Sequence, residues 1–360
     1  HSLSPAMQNA AIRAAGLDYA YVALPVLPER LEDGVRGLRA LGFRGFNVTI
    51  PHKSAILPLL DEVDEAACAI GAVNTVVCEA GRLKGFNTDV EGFLGALAAR
   101  GFSVEGKRVV LLGAGGAARA ALYGLLRSGA AEVTLGVRNA PKARPLAEEF
   151  AQYGEVCALD WNEAAFEEAV RKAALVVNTT PLGMAPQTQA MPPVPWQAVH
   201  ERTFFYDIIY TPAKTQFLQR AESLGCPTLN GEAMLVGQGA AAFRLWTGRE
   251  ADFAVMTHAL REALANCLTN ADYHERRGVV ILWKEDELCL SNPGGFRIDI
   301  EAAYIGGNSD SRNETMMKMF SLINVGERAG GGIPDMVRKW TKVGYERPIL
   351  SEEVNPERST

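Results

Sequence analysis

Arg108-Val109-Val110-Leu111-Leu112-Gly113-Ala114-Gly115-Gly116-Ala117-Ala118 is a short β-branched and apolar run that ends in G-x-G-x-x-A and opens a helical stretch. In such a turn the first glycine allows the tight bend and the second lets the backbone approach a pyrophosphate. The helix N-terminus adds amide donors and a partial positive charge. On its own the motif has a plainer alternative, a strand–helix turn without a ligand. Its surroundings favour the dinucleotide reading. A helical pattern starting at Val90 precedes it, Glu132–Val137 reads as the next strand, and Leu175–Thr179 and Thr203–Ile209 read as further strands of the same sheet. Strand–loop–helix–strand order predicts an α/β fold with a doubly wound parallel sheet and right-handed crossovers. After the second strand, where an acid would bind a ribose 2′-hydroxyl, the chain has Val137-Arg138-Asn139-Ala140-Pro141-Lys142. Cations there suit a 2′-phosphate, with Arg138 stacking or pairing and Lys142 assisting, so the sequence predicts NADP(H). A solvated surface arginine is the alternative.

Upstream, Phe46-Asn47-Val48-Thr49-Ile50-Pro51-His52-Lys53 puts a lysine in a tight turn after a β-branched run. Gly85-Phe86-Asn87-Thr88-Asp89 puts an aspartate at the start of a helix. A carboxylate opposite an amine keeps it charged and oriented, and the pair can pass a proton to a carbonyl oxygen while hydride arrives. A lone lysine is normally just solvated. Here the polar company in apolar sequence speaks for a site: Ser2, Ser4, Asn47, Thr49, Asn74, Thr75, Asn87 and Thr88. These amides and hydroxyls suit a polyhydroxylated acid, although some of them cap helices and turns.

Composition permits this without selecting it. The 360 residues are 48% hydrophobic and 22% charged, as in a globular protein with two or three domains. A formal charge of -6 argues against nucleic acid or an anionic membrane as partner, and no apolar run is long enough to span a bilayer. The six cysteines (Cys68, Cys78, Cys157, Cys226, Cys267, Cys289) form no CxxC pair. They read as reduced thiols of a cytoplasmic protein, with no metal site expected. The chain opens at His1 inside what reads as a motif, so a preceding N-terminal piece is expected.

Pro5–Ala15 has helical spacing, with Ser4 as expected N-cap and Pro5 at the first helical position. Tyr19–Pro25 reads as a strand, Leu31–Leu41 as an amphipathic helix and Gly45–Ile50 as a buried strand. Ala72–Glu79 and Arg82–Asn87 flank a hairpin turn at Ala80-Gly81. Gln187–Pro195 reads as a surface loop, and Phe217–Gly248 as a return to helices. Past about Phe253 the alternation stops. A helix over His258–Leu268, strands Val279–Lys284 and Glu287–Ser291, a turn at Asn292-Pro293-Gly294-Gly295 and a helix near Asp335–Lys342 read as a small α+β unit.

From the first residue to about Ala254 the chain resembles the shikimate dehydrogenase family. The resemblance rests on Ser2-Leu3-Ser4-Pro5, Asn47 to Lys53, Ala72-Val73-Asn74-Thr75, Asn87-Thr88-Asp89, the glycine loop, Asn178-Thr179-Thr180-Pro181-Leu182-Gly183-Met184 and Met234-Leu235-Val236-Gly237-Gln238. It implies reversible NADPH-dependent reduction of 3-dehydroshikimate to shikimate, by a monomer or homodimer, with Lys53 and Asp89 as the catalytic pair. Ser2 and Ser4 would hold the substrate carboxylate, and Thr49, Asn74 and Gln238 the ring hydroxyls. Gly113, Ala114, Gly115, Gly116, Ala117, Arg138, Asn139 and Lys142 would hold the cofactor, with Thr180 and Met184 beside it and Gly231 near the nicotinamide. The implied domains are residues 1–89 with 226–254 for substrate and 90–225 for NADP. The chain departs from the family pattern in three places: the first strand and its lead-in glycine are absent, Asn139 stands where threonine is frequent, and Ala233 stands where glycine is common.

Residues 255–352, before a short tail at 353–360, resemble the RecG-like C-terminal domain of transcriptional regulators, related to GHKL ATPases. The residues are Leu260 to Asn266, Asn270 to Tyr273, Ser291 to Gly295, Arg312-Asn313 and Gly326 to Ile333. The resemblance places Glu262 and Asn266 on a helix that would hold water and Mg²⁺ at an ATP site, with Gly330–Gly332 along the phosphates. The Asp-x-Gly-x-Gly adenine box is not evident, so a module without catalysis is the favoured reading. A chimera stands beside a natural bifunctional protein. Two competing functions remain. One is a quinate/shikimate enzyme using NAD, which Arg138 opposes. The other is an ATP-binding regulator with an inert dehydrogenase-like part, which an intact Lys53 and Asp89 oppose.

Overall fold

The computed structural model describes residues 3–270 together with four short strands beyond them, at 280–283, 288–293, 352–354 and 357–359. Contacts divide the chain into a unit of residues 24–257 and a unit of residues 1–23 with 258–360.

The second of these contains α1 (Ser4–Ala14). Its cap is Leu3, without a side-chain hydrogen bond, so Ser4 is the first helical residue and not the expected N-cap. No strand forms over Tyr19–Pro25. The Asn9 side-chain amide binds the backbone of Tyr21 from both sides, Nδ2 to the carbonyl and the N–H to Oδ1, both at 2.8 Å. A helix side chain thus occupies the backbone groups that a neighbouring strand would need.

In the larger unit, α2 (Leu31–Ala40) is followed by β1 (Gly45–Asn47), β2 (Glu62–Val63), α3 (Glu65–Ile70), β3 (Thr75–Glu79) and β4 (Arg82–Phe86). The four strands form a sheet in the order β1-β3-β4-β2, with β2 parallel to β4 and the other pairs antiparallel. Strand β1 is shorter than the sequence predicts. Val48 still donates to the Asn74 carbonyl at 2.8 Å, but His52 then closes a turn on the Thr49 carbonyl and swings Ile50 out to 82% exposure. The β3–β4 hairpin turns on Ala80 (φ 48°) and Gly81 (φ 75°), both left-handed as a tight two-residue hairpin requires. Val35, Val48, Ile56, Ala67, Val73, Val76 and Leu83 make the core on this sheet.

Helix α4 (Asp89–Ala98) then leads into β5 (Arg108–Leu112), α5 (Gly116–Arg127), β6 (Glu132–Val137), α6 (Ala140–Phe150), β7 (Val156–Asp160), α7 (Ala164–Lys172), β8 (Leu175–Asn178), β9 (Phe204–Asp207), α8 (Gln216–Ser223) and β10 (Thr228–Leu229). The six strands run parallel in the order β10-β9-β8-β5-β6-β7. This is the doubly wound dinucleotide-binding arrangement, whose order reverses between β5 and β8. Val109, Val110, Leu111 and Leu112 are all at most 1% exposed, as expected of a strand covered by helices on both faces. Strand β10 falls inside the stretch expected to be helical; two residues are too few to leave a periodic signal.

Helix α9 (Glu232–Thr247) packs closely on α4. A Cβ on Gly92 would lie 2.6 Å from the Met234 carbonyl oxygen and 2.8 Å from the Gln238 nitrogen, so the backbones approach where only glycine fits. Helix α10 (Phe253–Asn270) follows, with β11 (Val280–Trp283), β12 (Leu288–Pro293), β13 (Glu352–Val354) and β14 (Glu357–Ser359) in the order β11-β12-β14-β13. Asn292 and Pro293, expected in a turn, extend β12 because they pair with Ser359 and Arg358. The helix expected near Asp335–Lys342 lies outside the described residues.

Candidate active site

Two stretches distant in sequence bring Lys53 and Asp89 together. The Lys53 carbonyl accepts from the Val73 N–H at 2.8 Å, which fixes its turn to the strand entering β3. Asp89 opens α4, and its N–H donates to Asn87 Oδ1 at 3.1 Å, while Asn87 Nδ2 donates to the Ala72 carbonyl at 2.9 Å. Lys53 Nζ then donates to Asp89 Oδ2 at 2.6 Å, with side chains 29% and 16% exposed. The other carboxylate oxygen accepts from Asn74 Nδ2 at 2.8 Å. Asn74 is buried. Its Oδ1 accepts from the Thr88 N–H at 2.8 Å and the Thr75 hydroxyl at 3.0 Å, and its Nδ2 also reaches Thr88 Oγ1 at 3.1 Å. Of the polar residues noted in the sequence, Asn74, Thr75, Asn87 and Thr88 thus form one network that aims a carboxylate at an amine.

The other expected substrate residues are placed as follows. Thr49 is exposed at the turn before Lys53. Gln238 lies on α9 beside the Gly92 crossing, its Nε2 donating to the Leu235 carbonyl at 2.9 Å. The Ser4 hydroxyl hydrogen-bonds the Tyr21 phenol, and burial pushes that phenol up to about 12. Ser2 lies outside the described residues.

At the C-terminal ends of β5, β6 and β8 is a cleft of about 450 Å³. Of the expected cofactor residues it is lined by Gly113, Ala114, Arg138, Asn139, Lys142 and Thr180; Gly115, Gly116, Ala117, Met184 and Gly231 are not among its walls. Val137, Ala143, Trp161, Pro181 and Leu182 complete it. Trp161 follows β7 in a loop with no periodicity to flag it, although a tryptophan just past a parallel strand is a usable signal.

The walls fit a dinucleotide. Gly113 has φ 112°, and a Cβ there would come within 3.0 Å of Thr179 Oγ1 and Thr180 Cγ2. Added Cβ atoms at Gly115 and Gly116 would meet nothing within 4 Å, which leaves that backbone open to a ligand. The N-cap of α5, Gly115, makes no side-chain hydrogen bond, and the first turn of a helix carries amide donors that its own turns do not use. Asn139 caps α6 through Lys142, its Oδ1 accepting from that N–H at 3.1 Å. Arg138 and Lys142 are exposed and form no side-chain ion pair among the described residues. Also among those residues, no group of three or more His, Cys, Asp and Glu is placed to hold a metal, and no helix is long and apolar enough to cross a membrane. In the C-terminal region, Glu262 Oε1 lies 3.9 Å from His258 Nε2. The Asn266 side chain and Gly330–Gly332 lie outside the described residues.

A doubly wound sheet with this cleft, joined to a smaller sheet flanked by a half-buried lysine–aspartate pair, defines a dinucleotide-dependent α/β enzyme. Comparison with known proteins narrows the class. Residues 1–76 match the shikimate dehydrogenase substrate-binding domain, 96–183 the shikimate/quinate 5-dehydrogenase model and 231–261 the shikimate 5′-dehydrogenase C-terminal domain. A shikimate dehydrogenase (NADP(+)) from Moorella thermoacetica is 48% identical over 267 residues, covering 73% of this chain and 90% of the relative. Among solved structures, shikimate 5-dehydrogenase from Listeria monocytogenes in complex with shikimate and NAD has TM-score 0.70 at 34% identity, covering 72% and 92%. The Thermus thermophilus enzyme in complex with NADP(H) and shikimate has TM-score 0.66 at 41% identity, covering 73% and 95%. The chain belongs to the shikimate dehydrogenase family. Residues 276–356 separately match a recG C-terminal model, described after an ATP-dependent DNA helicase.

Proposed function

We propose that this chain catalyses the reversible NADPH-dependent reduction of 3-dehydroshikimate to shikimate. The observation that carries the reading is the 2.6 Å Lys53–Asp89 pair held by Asn74 in a chain of this family. NADPH bound in the cleft supplies the hydride. Lys53 holds the proton that the substrate's carbonyl oxygen gains, and takes it back in the reverse direction. Asp89 orients Lys53, and Asn74 and Asn87 fix the direction in which the carboxylate points. Ser2 and Ser4 bind the substrate carboxylate, and Thr49, Asn74 and Gln238 its ring hydroxyls. Residues 1–89 with 226–254 serve the substrate and 90–225 the cofactor, with 255–352 an appended module, in a cytoplasmic monomer or homodimer. Initial rates with shikimate or quinate and NADP or NAD test this. Turnover confined to shikimate with NADP is expected; equal or faster rates with quinate and NAD would replace the reading with a quinate enzyme.

Cofactor choice has its own test. Arg138 meets the cofactor as an exposed cation at the end of β6, where a charge-assisted pair with a 2′-phosphate contributes roughly 1.5–3 kcal/mol. Arg138→Ala is expected to raise the KM for NADP by about ten- to a hundredfold while leaving that for NAD nearly unchanged. A variant that keeps its preference for NADP would show that Arg138 does not read the phosphate.

A further inference from the structure

Beneath the cleft lies a buried polar group that the chemistry above does not use. Asp207, the last residue of β9, is 0% exposed. Its Oδ1 accepts from Asn178 Nδ2 at 3.0 Å and from the Ile209 N–H at 3.1 Å, and its Oδ2 accepts from the Thr215 hydroxyl at 2.6 Å. Asn178 is also 0% exposed and pairs directly with Asp207 across the β8–β9 ladder. Its Oδ1 accepts from the Thr180 N–H at 3.0 Å and the Thr180 hydroxyl at 2.7 Å, and its Nδ2 reaches the Leu182 carbonyl at 3.2 Å. Thr180 and Leu182 are walls of the cleft. In the other direction, the Ile209 carbonyl accepts from the Gly231 N–H at 3.0 Å. One carboxylate therefore ties together the loop after β8, the loop after β9 and the turn that starts α9. Burial pushes Asp207 up to about 6 against the pull of its three donors. An apolar residue would fill a strand end at less cost in desolvation.

We propose that Asp207 is a positioning residue for the cofactor, acting through Asn178 and Ile209 to set the Thr180–Leu182 wall and the Gly231 turn. The inference rests on the cofactor reading given under Proposed function. An alanine at 207 would break all three links, whereas an asparagine can keep them, its Oδ1 accepting from Asn178 and Ile209 and its NH2 donating to the Thr215 hydroxyl, which accepts as well as donates.

The test compares steady-state kinetics of the full chain with Asp207→Ala, with Asn178→Ala, which cuts the same link from the other side, and with Asp207→Asn, alongside thermal unfolding of each. The KM for NADP is expected to rise about tenfold or more in either alanine variant, as displaced positioning groups cause. The KM for shikimate should stay within about twofold, and Asp207→Asn should keep the KM for NADP within about threefold of the wild type. A folded alanine variant with the wild-type KM for NADP, beside a wild type active with NADP, would overturn this inference alone. A rise in both KM values with a fall in kcat, equal in the alanine variants and in Asp207→Asn, would reduce Asp207 to a structural role and overturn it too. A wild type that fails to use NADP would overturn both this inference and the cofactor reading.

Discussion

Lys53→Ala is expected to lower kcat for shikimate oxidation by about 10²–10⁴-fold, with the KM for shikimate changed far less. Size and selectivity both follow from geometry. The Lys53 side chain is 29% exposed, and its ion pair with Asp89 is half-screened by solvent, so its contribution to stability is at most about 1 kcal/mol. The turn that carries Lys53 is fixed by its backbone carbonyl on Val73, which the substitution does not touch. A large kinetic loss in a folded protein must then come from proton transfer. Asp89→Asn should lose activity as well, because it removes the charge that orients Lys53 while Asn74 keeps a partner. A Lys53→Ala protein with near-normal kcat would remove Lys53 from the catalytic pair.

Gly231→Ala is expected to cause the largest loss of stability among single-methyl additions at the site. Gly231 has φ -76°, so its backbone conformation is open to any residue. Space is the constraint: an added Cβ would sit 1.9 Å from the Ile208 carbonyl oxygen and 2.4 Å from its carbon. Both are backbone atoms and neither can rotate away. The Gly231 N–H bond to Ile209 at 3.0 Å would have to lengthen, or the α9 start would have to shift. Overpacking of this kind costs about 1–3 kcal/mol, and a clash with backbone belongs at the upper end. The denaturant midpoint should fall accordingly, and NADP-dependent turnover should fall with it. A variant with the wild-type midpoint would mean that the Ile208–Gly231 approach is looser than described.

The larger elements were legible because their signals are local. The β5 run is apolar on both faces and ends in glycines, so its strand, turn and helix follow from nearest neighbours. The lysine and aspartate were legible as chemistry, being flanked by amides and hydroxyls with little reason to sit in an apolar stretch. What escaped depends on partners far along the chain. Tyr19–Pro25 has the composition of a strand, but a strand needs a neighbour's backbone, and the Asn9 amide takes that place at Tyr21. The two-residue strands β2 and β10 exist only through pairing. Asp207 and Asn178 read as ordinary polar residues at strand ends until the β8–β9 register sets them opposite each other. Trp161 enters the cleft from a loop whose course follows from β7 packing beside β6.

The most direct test of the account follows a labelled hydrogen. Shikimate carrying deuterium on the carbon that becomes the ketone would be incubated with NADP and the full chain, and the reduced cofactor weighed by mass spectrometry. The account predicts NADPH heavier by the one transferred deuterium, produced by the wild type and only in traces by Lys53→Ala. Reduced cofactor without the label, or no reduction by a folded protein that binds NADP, would contradict it.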